Sequence, residues 1–275
     1  MSFISRHAEP LTDDQLRRFV PSVYAEAAHE SRSERYTYIP TAAILAGLRK
    51  EGFEPVSARQ SRTRDASRYD FTKHMIRMRH VSLRDLKVDD TFPEIVLVNS
   101  HDGTSAYQIM GGLFRLVCLN GMVVSEGRCE TVKVPHKGNI IDRVIEGSFR
   151  VLKQSANALQ AAGEWQGIDL NRDDEQVAFA EAAHVLRFAD AEGNVSTPIQ
   201  PEQLLTPRRS ADAKPDLWHT YNRVQEAVIR GGISAVNPET GRRTTTREVK
   251  AIDGDVKLNR ALFVLSERMA ALKAA

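Results

Sequence analysis

Long apolar runs, cysteines and a strong net charge are the three features that this sequence lacks. No stretch approaches the roughly 18 apolar residues of a membrane-spanning helix, and residues 1–18 contain no signal-peptide core, so we expect a cytoplasmic protein without a membrane partner. The two cysteines, Cys118 and Cys129, predict free thiols and no disulfide scaffold. The net charge of +2 excludes a strongly basic tail but leaves room for a local basic patch.

The sequence motifs of several common enzyme classes are also absent. The chain has no G-x-x-x-x-G-K-[ST] phosphate loop, no G-x-G-x-x-G dinucleotide fingerprint and no G-x-S-x-G nucleophile elbow. It has no H-E-x-x-H motif and no paired C-x-x-C motif, which are typical of zinc sites. These absences argue against P-loop ATPases, dinucleotide enzymes, α/β-hydrolases and common zinc modules. We therefore predict no cofactor and no metal site.

Changes in hydrophobic periodicity predict an α+β fold, in which an antiparallel β-meander in the N-terminal half is packed by helices and the C-terminal half is mostly helical. The first helix is expected after Thr12, and a second over residues 42–51 with Thr41 as its cap. Strands are expected over residues 36–39, 53–60, 70–81, 94–100, 105–110, 113–119, 122–125 and 130–134.

Helical periodicity returns after Pro135 in four stripes. We predict an N-terminal helical segment over residues 1–35 and a single α+β domain over residues 36–275, which is β-rich to 135 and α-rich from 136. The last stripe, Leu258–Leu272, packs on the core or on a second copy in a homo-oligomer, and periodicity does not decide between them.

Two hairpin turns are predicted from short polar segments. His101-Asp102-Gly103 predicts a turn with His101 exposed beside it; a metal or catalytic role for the His-Asp pair is the alternative. Asn120-Gly121 predicts a tight hairpin in which Gly121 has a positive φ.

Cys118 and Arg115 each allow two interpretations. Cys118 is expected to be a buried structural thiol, with a nucleophile as the alternative. Arg115 lies in an apolar strand, so it forms a structural ion pair or faces a ligand.

Several segments carry a resemblance to a known family. The run from Asn99 to Gly103, Ala106-Tyr107, and the run from Gly112 to Gly121 resemble the signature of a phage- and plasmid-borne family catalogued as domain of unknown function 932. Upstream, residues 52–55 and 73–79 are similar to it, as are Asp216-Leu217-Trp218, Asn222, Gln225-Glu226 and Gly231-Gly232 downstream. The resemblance implies a mobile-element context, in which neighbouring proteins serve DNA processing or evasion of host defence. By analogy, a β-meander followed by helices is similar to single-strand annealing proteins.

Basic residues are concentrated in two places. Residues 57–84 contain eight Arg or Lys and two Asp, and a second cluster comprises Arg242, Arg243, Arg247 and Lys250. Strand alternation places Arg77 and Arg79 together on one face of the sheet, which we expect to be open to solvent, with the two guanidinium groups about 7 Å apart. A basic face is one interpretation of these clusters, and a solvated surface with scattered ion pairs is the other.

We therefore predict a non-enzymatic mobile-element protein that binds nucleic acid, single-stranded DNA in recombination or replication. The predicted nucleic-acid-binding residues are Arg62, Arg64, Lys73, Arg77, Arg79, Tyr107, Arg115, Arg242 and Arg243. Tyr69 and Phe71 are further candidates for stacking on bases. The first alternative is an anti-defence protein that binds and inhibits a host defence or restriction complex. The second is an enzyme with a site around Asn99, His101, Asp102 and Arg115.

Overall fold

The computed structural model describes residues 2–4, 9–32, 36, 38–88, 90–115, 120–124, 128–134, 140–170 and 173–275. The strands in these ranges are β1 (Ser2–Ile4), β2 (Phe53–Gln60), β3 (His74–His80), β4 (Thr91–Asn99), β5 (Gln108–Arg115), β6 (Asn120–Val123), β7 (Val132–Lys133), β8 (Ser234–Val236) and β9 (Arg243–Thr245). The helices are α1 (Asp13–Phe19), α2 (Thr41–Lys50), α3 (Ile140–Gln166), α4 (Asp173–Phe188), α5 (Leu217–Arg230) and α6 (Ile252–Ala274). The α+β prediction is confirmed.

The chain divides into two compact units, Met1–Leu159 and Gln160–Ala275. The first unit contains the large antiparallel sheet, in which β1 to β6 lie in chain order and β7 also pairs with β5. This order is the predicted meander, because short connections join neighbouring antiparallel strands. Cys118 and Pro135 lie outside the described residues, and the thiol of Cys129 is buried.

The central strands of this sheet are buried on both faces. All residues of β4 are buried, as are the first six of β3 and the last seven of β5. The prediction of one open face is therefore wrong for these strands. A strand whose consecutive residues are all buried has no solvent side, so its polar side chains must find partners inside the protein.

The segment around Gly111 and Gly112 departs from the predicted strands. The sequence predicts two strands there, over residues 105–110 and 113–119, but the ladder to β4 continues through both glycines as part of β5. A Cβ at Gly111 would lie 2.6 Å from Ser155 Oγ, and one at Gly112 would lie 2.9 Å from Val96 Cγ2. The glycines thus permit close packing and do not mark a break.

The two predicted N-terminal helices are present, with one change of cap. Thr12 accepts from Gln15 N and forms the capping box of α1. Residue Thr41 is the first residue of α2, not its cap, and its hydroxyl bonds to buried side chains instead. Tyr36 and residues 38–39, expected as a strand, do not lie in one.

The second unit is built around α5, which is buried on nearly every side from Leu217 to Val228. The rings of Trp165, Trp218 and Phe263 form its aromatic core, with Trp165 and Phe263 centroids 4.9 Å apart. Among the described residues, no helix is both long enough and apolar enough to cross a bilayer.

The C-terminus of α5 leads into a separate antiparallel hairpin of β8 and β9. Gly231 follows the helix with a φ of 64°, and a Cβ there would lie 2.7 Å from the carbonyl carbon of Arg247. Glycine is needed at this position both for the backbone angle and for the close approach of the chain.

Candidate nucleic-acid interface

The predicted binding residues separate into a buried group and an exposed group. The buried ones are Lys73, Arg77, Arg79, Tyr107 and Arg115. The exposed ones are Arg62, Arg64, Arg242 and Arg243. Burial raises the pKa of the Tyr107 hydroxyl, and its ring cannot stack on a base in this structure. Only the exposed group is placed to meet a macromolecule.

The sheet arginines are held by a carboxylate that the sequence prediction overlooked. Arg77 Nη2 lies 2.6 Å from Glu94 Oε2, and Arg79 Nη2 lies 2.8 Å from Glu94 Oε1. Glu94 is fully buried and both arginine side chains are 7% exposed. The expected open arginine pair is thus a buried ion-paired triad, because a buried guanidinium requires a partner. The sequence did contain a signal for this partner, because Glu94 is a lone carboxylate in the apolar strand β4.

Aromatic rings complete the environment of this triad. The Arg77 guanidinium carbon lies 4.3 Å from the centroid of Phe114, and that of Arg79 lies 4.2 Å from the centroid of Phe92. Such contacts stabilise a desolvated cation by the ring quadrupole. The geometry is that of a structural element and not of a phosphate-binding surface.

The Asn120-Gly121 segment serves this triad in a way that differs from the predicted turn. Both residues belong to β6, where Gly121 pairs with Phe114, and Gly121 is not among the glycines with positive φ. A Cβ at Gly121 would lie 2.7 Å from Arg77 Cζ. The residue is glycine because the guanidinium occupies that space.

The predicted exposed arginines of the first unit lie on the connection between β2 and β3, in residues 61–71, which we call the 61–71 loop. Arg62 and Arg64 are exposed, and no partner is found for either among the residues that the structure describes. Tyr69, on the same loop, is 46% exposed. Two unpaired cations and one aromatic ring are therefore available to a ligand on a single loop.

The backbone of the 61–71 loop is fixed by side chains beneath it. Tyr69 O accepts hydrogen bonds from Gln60 Nε2 at 2.7 Å and from Thr72 Oγ1 at 3.0 Å. Phe71 O accepts from the His101 backbone at 2.9 Å. Asp65 accepts from Ser67 N at 3.0 Å and caps a short 3₁₀ helix. The loop is therefore ordered, while the side chains of Arg62, Arg64 and Tyr69 remain in solvent.

Gln60 connects the loop to a buried polar network. Its Oε1 atom accepts from Ser22 Oγ at 3.0 Å, and Ser22 Oγ lies 3.0 Å from His74 Nδ1. His74 Nδ1 also lies 3.3 Å from Thr72 O, which can only accept. These contacts place the proton of neutral His74 on Nδ1, where it is donated towards Ser22 and Thr72.

The other side of the network passes through Thr41. Its Oγ1 atom lies 3.1 Å from His74 Nε2 and 3.3 Å from His101 Nε2, and it accepts from Asn99 Nδ2 at 3.0 Å. With the His74 proton on Nδ1, Thr41 donates to His74 Nε2 and accepts from His101. The hydrogen bonds then run in one direction, from His101 through Thr41, His74 and Ser22 to Gln60. This direction requires His74 to be neutral, because its Nε2 atom accepts from Thr41.

Burial opposes the charged form of both rings. It lowers the pKa of His74 to about 3, with the nearby His101 as the second cause. It lowers the pKa of His101 to about 4, against the opposite influence of the Asp102 carboxylate. His101 was expected to be exposed, but it is fully buried because its imidazole belongs to the network beneath the loop.

The predicted turn itself is present. Asp102 Oδ1 accepts from Thr104 N at 3.0 Å, and Gly103 has a φ of 77°. Among the described residues, no three His, Cys, Asp or Glu side chains are grouped so as to hold a metal ion.

The exposed cations of the second unit lie on the β8–β9 hairpin. Arg242 and Arg243 are exposed at its tip and at the start of β9. By contrast, the downstream segment that resembles the family, residues 216–232, forms α5 and its caps. There Arg209 forms two hydrogen bonds to the buried Glu226, at 2.6 and 2.8 Å, and Gln225 donates to Asn259 at 2.8 Å.

Comparisons with known proteins place the chain in a family. The sequence model described as "Domain of unknown function (DUF932)" matches residues 28–263. Two Escherichia coli (strain K12) proteins, UPF0380 protein YfjQ and UPF0380 protein YafZ, are each 48% identical over 264 residues, which cover 96% of this chain and 93% of each relative. No solved structure matches the chain. The chain belongs to the family of domain of unknown function 932.

Proposed function

We propose that this protein binds single-stranded nucleic acid, without catalysis, through the 61–71 loop. The observation that carries the proposal is the exposure of Arg62, Arg64 and Tyr69 on one ordered loop, while the sheet arginines are buried against Glu94. Arginines neutralise backbone phosphates, and an exposed aromatic ring stacks on a base without regard to sequence. The proposal includes a role in recombination or replication of a mobile element, which the resemblance to the family implies.

The fixed backbone of the loop supports this function. Gln60, Thr72 and His101 hold the loop from beneath, so its backbone is ordered before any ligand binds. Binding therefore does not lose affinity to the entropy cost of ordering the loop. Arg68 is engaged with Asp65 at 3.3 Å, so we assign the phosphate contacts to Arg62 and Arg64 alone.

The test of the cations is the double variant Arg62→Ala/Arg64→Ala, titrated with a fluorescent oligothymidylate at several salt concentrations. Each phosphate that is no longer neutralised should reduce the slope of log affinity against log salt by about 0.7, or about 1.4 for both. The matched control is Lys50→Ala/Lys87→Ala, which removes the same charge from exposed positions of the same unit. Equal losses in the test and control variants would contradict the assignment to this loop.

The test of stacking uses two substitutions at Tyr69. Tyr69→Ala should weaken binding by about 1–3 kcal/mol, whereas Tyr69→Phe keeps the ring and should bind as the wild type does. The side chain is exposed, and its hydroxyl bonds to no other side chain or backbone group among the described residues, so both variants should fold. A wild-type protein that binds no single-stranded DNA or RNA at low salt would overturn the proposal as a whole.

A further inference from the structure

The β8–β9 hairpin is an exposed two-stranded ribbon in the second unit, independent of the 61–71 loop. Val236 is 59% exposed, and Arg243, Thr244 and Thr245 are exposed along the whole of β9. Residues from both of its faces are therefore solvent-accessible. A two-stranded hairpin of this length is marginally stable alone, so its order must come from its attachments.

The base of the ribbon is attached firmly to the end of α5. Gly232 N donates to Thr246 O at 2.8 Å, and Thr246 N donates to Ile233 O at 2.8 Å. Ile233 N donates to Thr246 Oγ1 at 3.0 Å, and Gln203 Nε2 donates to Ser234 O at 3.1 Å. These bonds fix the direction in which the ribbon leaves the helix.

The tip of the ribbon is also ordered. Asn237 Oδ1 accepts from Glu239 N at 2.9 Å and Thr240 N at 2.8 Å, and Asn237 N donates to Arg242 O at 2.9 Å. Gly241 has a φ of 66°, a backbone angle that side-chain-bearing residues rarely adopt. The turn thus sets the position of the two adjacent arginines.

The charge of the ribbon points to a polyanion. The segment from 232 to 250 contains Arg242, Arg243, Arg247 and Lys250 against Glu239 and Glu248, four positive charges against two negative. Among the described residues, the side chains of these four cations have no partner. Thr244 is exposed next to these arginines, while the Thr245 hydroxyl lies 2.7 Å from Ser234 Oγ and bonds across the ribbon.

We propose that the β8–β9 hairpin enters a groove of duplex DNA, with Arg242 and Arg243 on the phosphates at its edge. The strands of a hairpin are about 4.8 Å apart, and the major groove of B-DNA, about 12 Å wide, admits a two-stranded ribbon. The single-strand function of the 61–71 loop does not enter this inference. The protein would then hold single-stranded and duplex segments at two separate sites.

The experiment compares duplex binding by the full chain with that of the double variant Arg242→Ala/Arg243→Ala. Because the variant leaves two phosphates without their arginines, the salt slope should fall by about 1.8. When the salt concentration is lowered from 200 to 50 mM, the affinity of both proteins for duplex should increase. The factor of increase should be about tenfold smaller for the variant than for the wild type. The control is Lys214→Ala/Lys257→Ala, which removes the same charge from exposed positions of the second unit and should leave the slope unchanged.

A third variant separates the ribbon's shape from its charge. Gly241→Val keeps every cation but cannot easily adopt the positive φ, so duplex affinity should fall while single-strand binding by the 61–71 loop stays unchanged. Vesicles of phosphatidylglycerol provide a second polyanionic probe. The inference is overturned if the arginine variant binds duplex as the wild type does, if the lysine control loses as much, or if the wild type binds the vesicles and not the duplex.

Discussion

Arg77 and Glu94 form a buried ion pair inside a sheet, with Nη2 and Oε2 only 2.6 Å apart. Arg79 shares the same carboxylate through its other oxygen, so that one negative charge serves two positive ones. The pair therefore explains why arginines that were expected to bind phosphate are unavailable to it. It also predicts that the stability of the sheet depends on Glu94, the shared counter-charge.

Glu94→Gln should destabilise the protein by about 3–5 kcal/mol, because it leaves two buried guanidinium groups without a counter-charge. Urea unfolding monitored by circular dichroism measures the loss. Glu54→Gln is the control, since Glu54 pairs with the exposed Arg84 and such pairs contribute at most about 1 kcal/mol. Similar losses in the two variants would show that the triad is not a buried ion pair.

Gly121→Ala should lower the free energy of unfolding by about 1–3 kcal/mol, since the new methyl group meets the Arg77 guanidinium where that group cannot move away freely. Gly163→Ala is the opposite case. No atom lies within 4 Å of a Cβ at Gly163, which is exposed in α3, so this change should stabilise by up to about 1 kcal/mol. Wild-type stability of Gly121→Ala would refute the steric explanation.

The free energy of unfolding should fall as the pH is lowered, because His74 and His101, the two histidines of the buried network, are neutral in the folded protein. Both have folded-state pKa values, about 3 for His74 and about 4 for His101, below the ordinary 6.5. Between the folded-state values and about pH 6.5, the unfolded chain therefore binds more protons than the folded protein does. The stability that comes from keeping the two histidines neutral is fully present above about pH 6.5 and is lost as the pH falls towards 4. Between those pKa values, each histidine should lower the free energy of unfolding by about 1.4 kcal/mol for every unit by which the pH falls.

The measurement for this prediction is urea unfolding at several pH values between about 7.5 and 4.5. His74→Gln is the comparison, because glutamine offers polar atoms but does not titrate. The variant should be less stable at neutral pH and less sensitive to acid than the wild type. An unchanged pH dependence would mean that His74 is not neutral in the folded protein.

Gln60→Ala should loosen the 61–71 loop, because it removes the side chain that links Ser22 to Tyr69 O. Trypsin cleavage after Arg62 or Arg64 requires local opening of the loop, so cleavage there should accelerate in the variant. Cleavage after Arg242 and Arg243 serves as the internal control and should keep its wild-type rate. Equal acceleration at both places would indicate global destabilisation.

The periodicity of the sequence by itself determined the class of fold. Alternating apolar residues from Phe53 onward predicted the meander, and helical stripes after Pro135 predicted the helices that follow, because both periods arise from local backbone geometry. The turn at Asp102-Gly103 was predictable because it also depends on local backbone geometry, and so was the end of α2, expected at residue 51 and observed at Lys50. Residue counts alone located both basic clusters.

Only the tertiary structure decided which of the basic residues meet solvent. Alternation correctly separated Arg77 from Met78 across the strand, but it cannot show what covers either face of a sheet. The answer depends on Glu94, 17 residues further along the chain, and the histidine network likewise depends on Ser22 and Thr41, 52 and 33 residues from His74. Such partners are chosen by packing and by the cost of burying an unpaired polar group, and neither leaves a local pattern in the sequence.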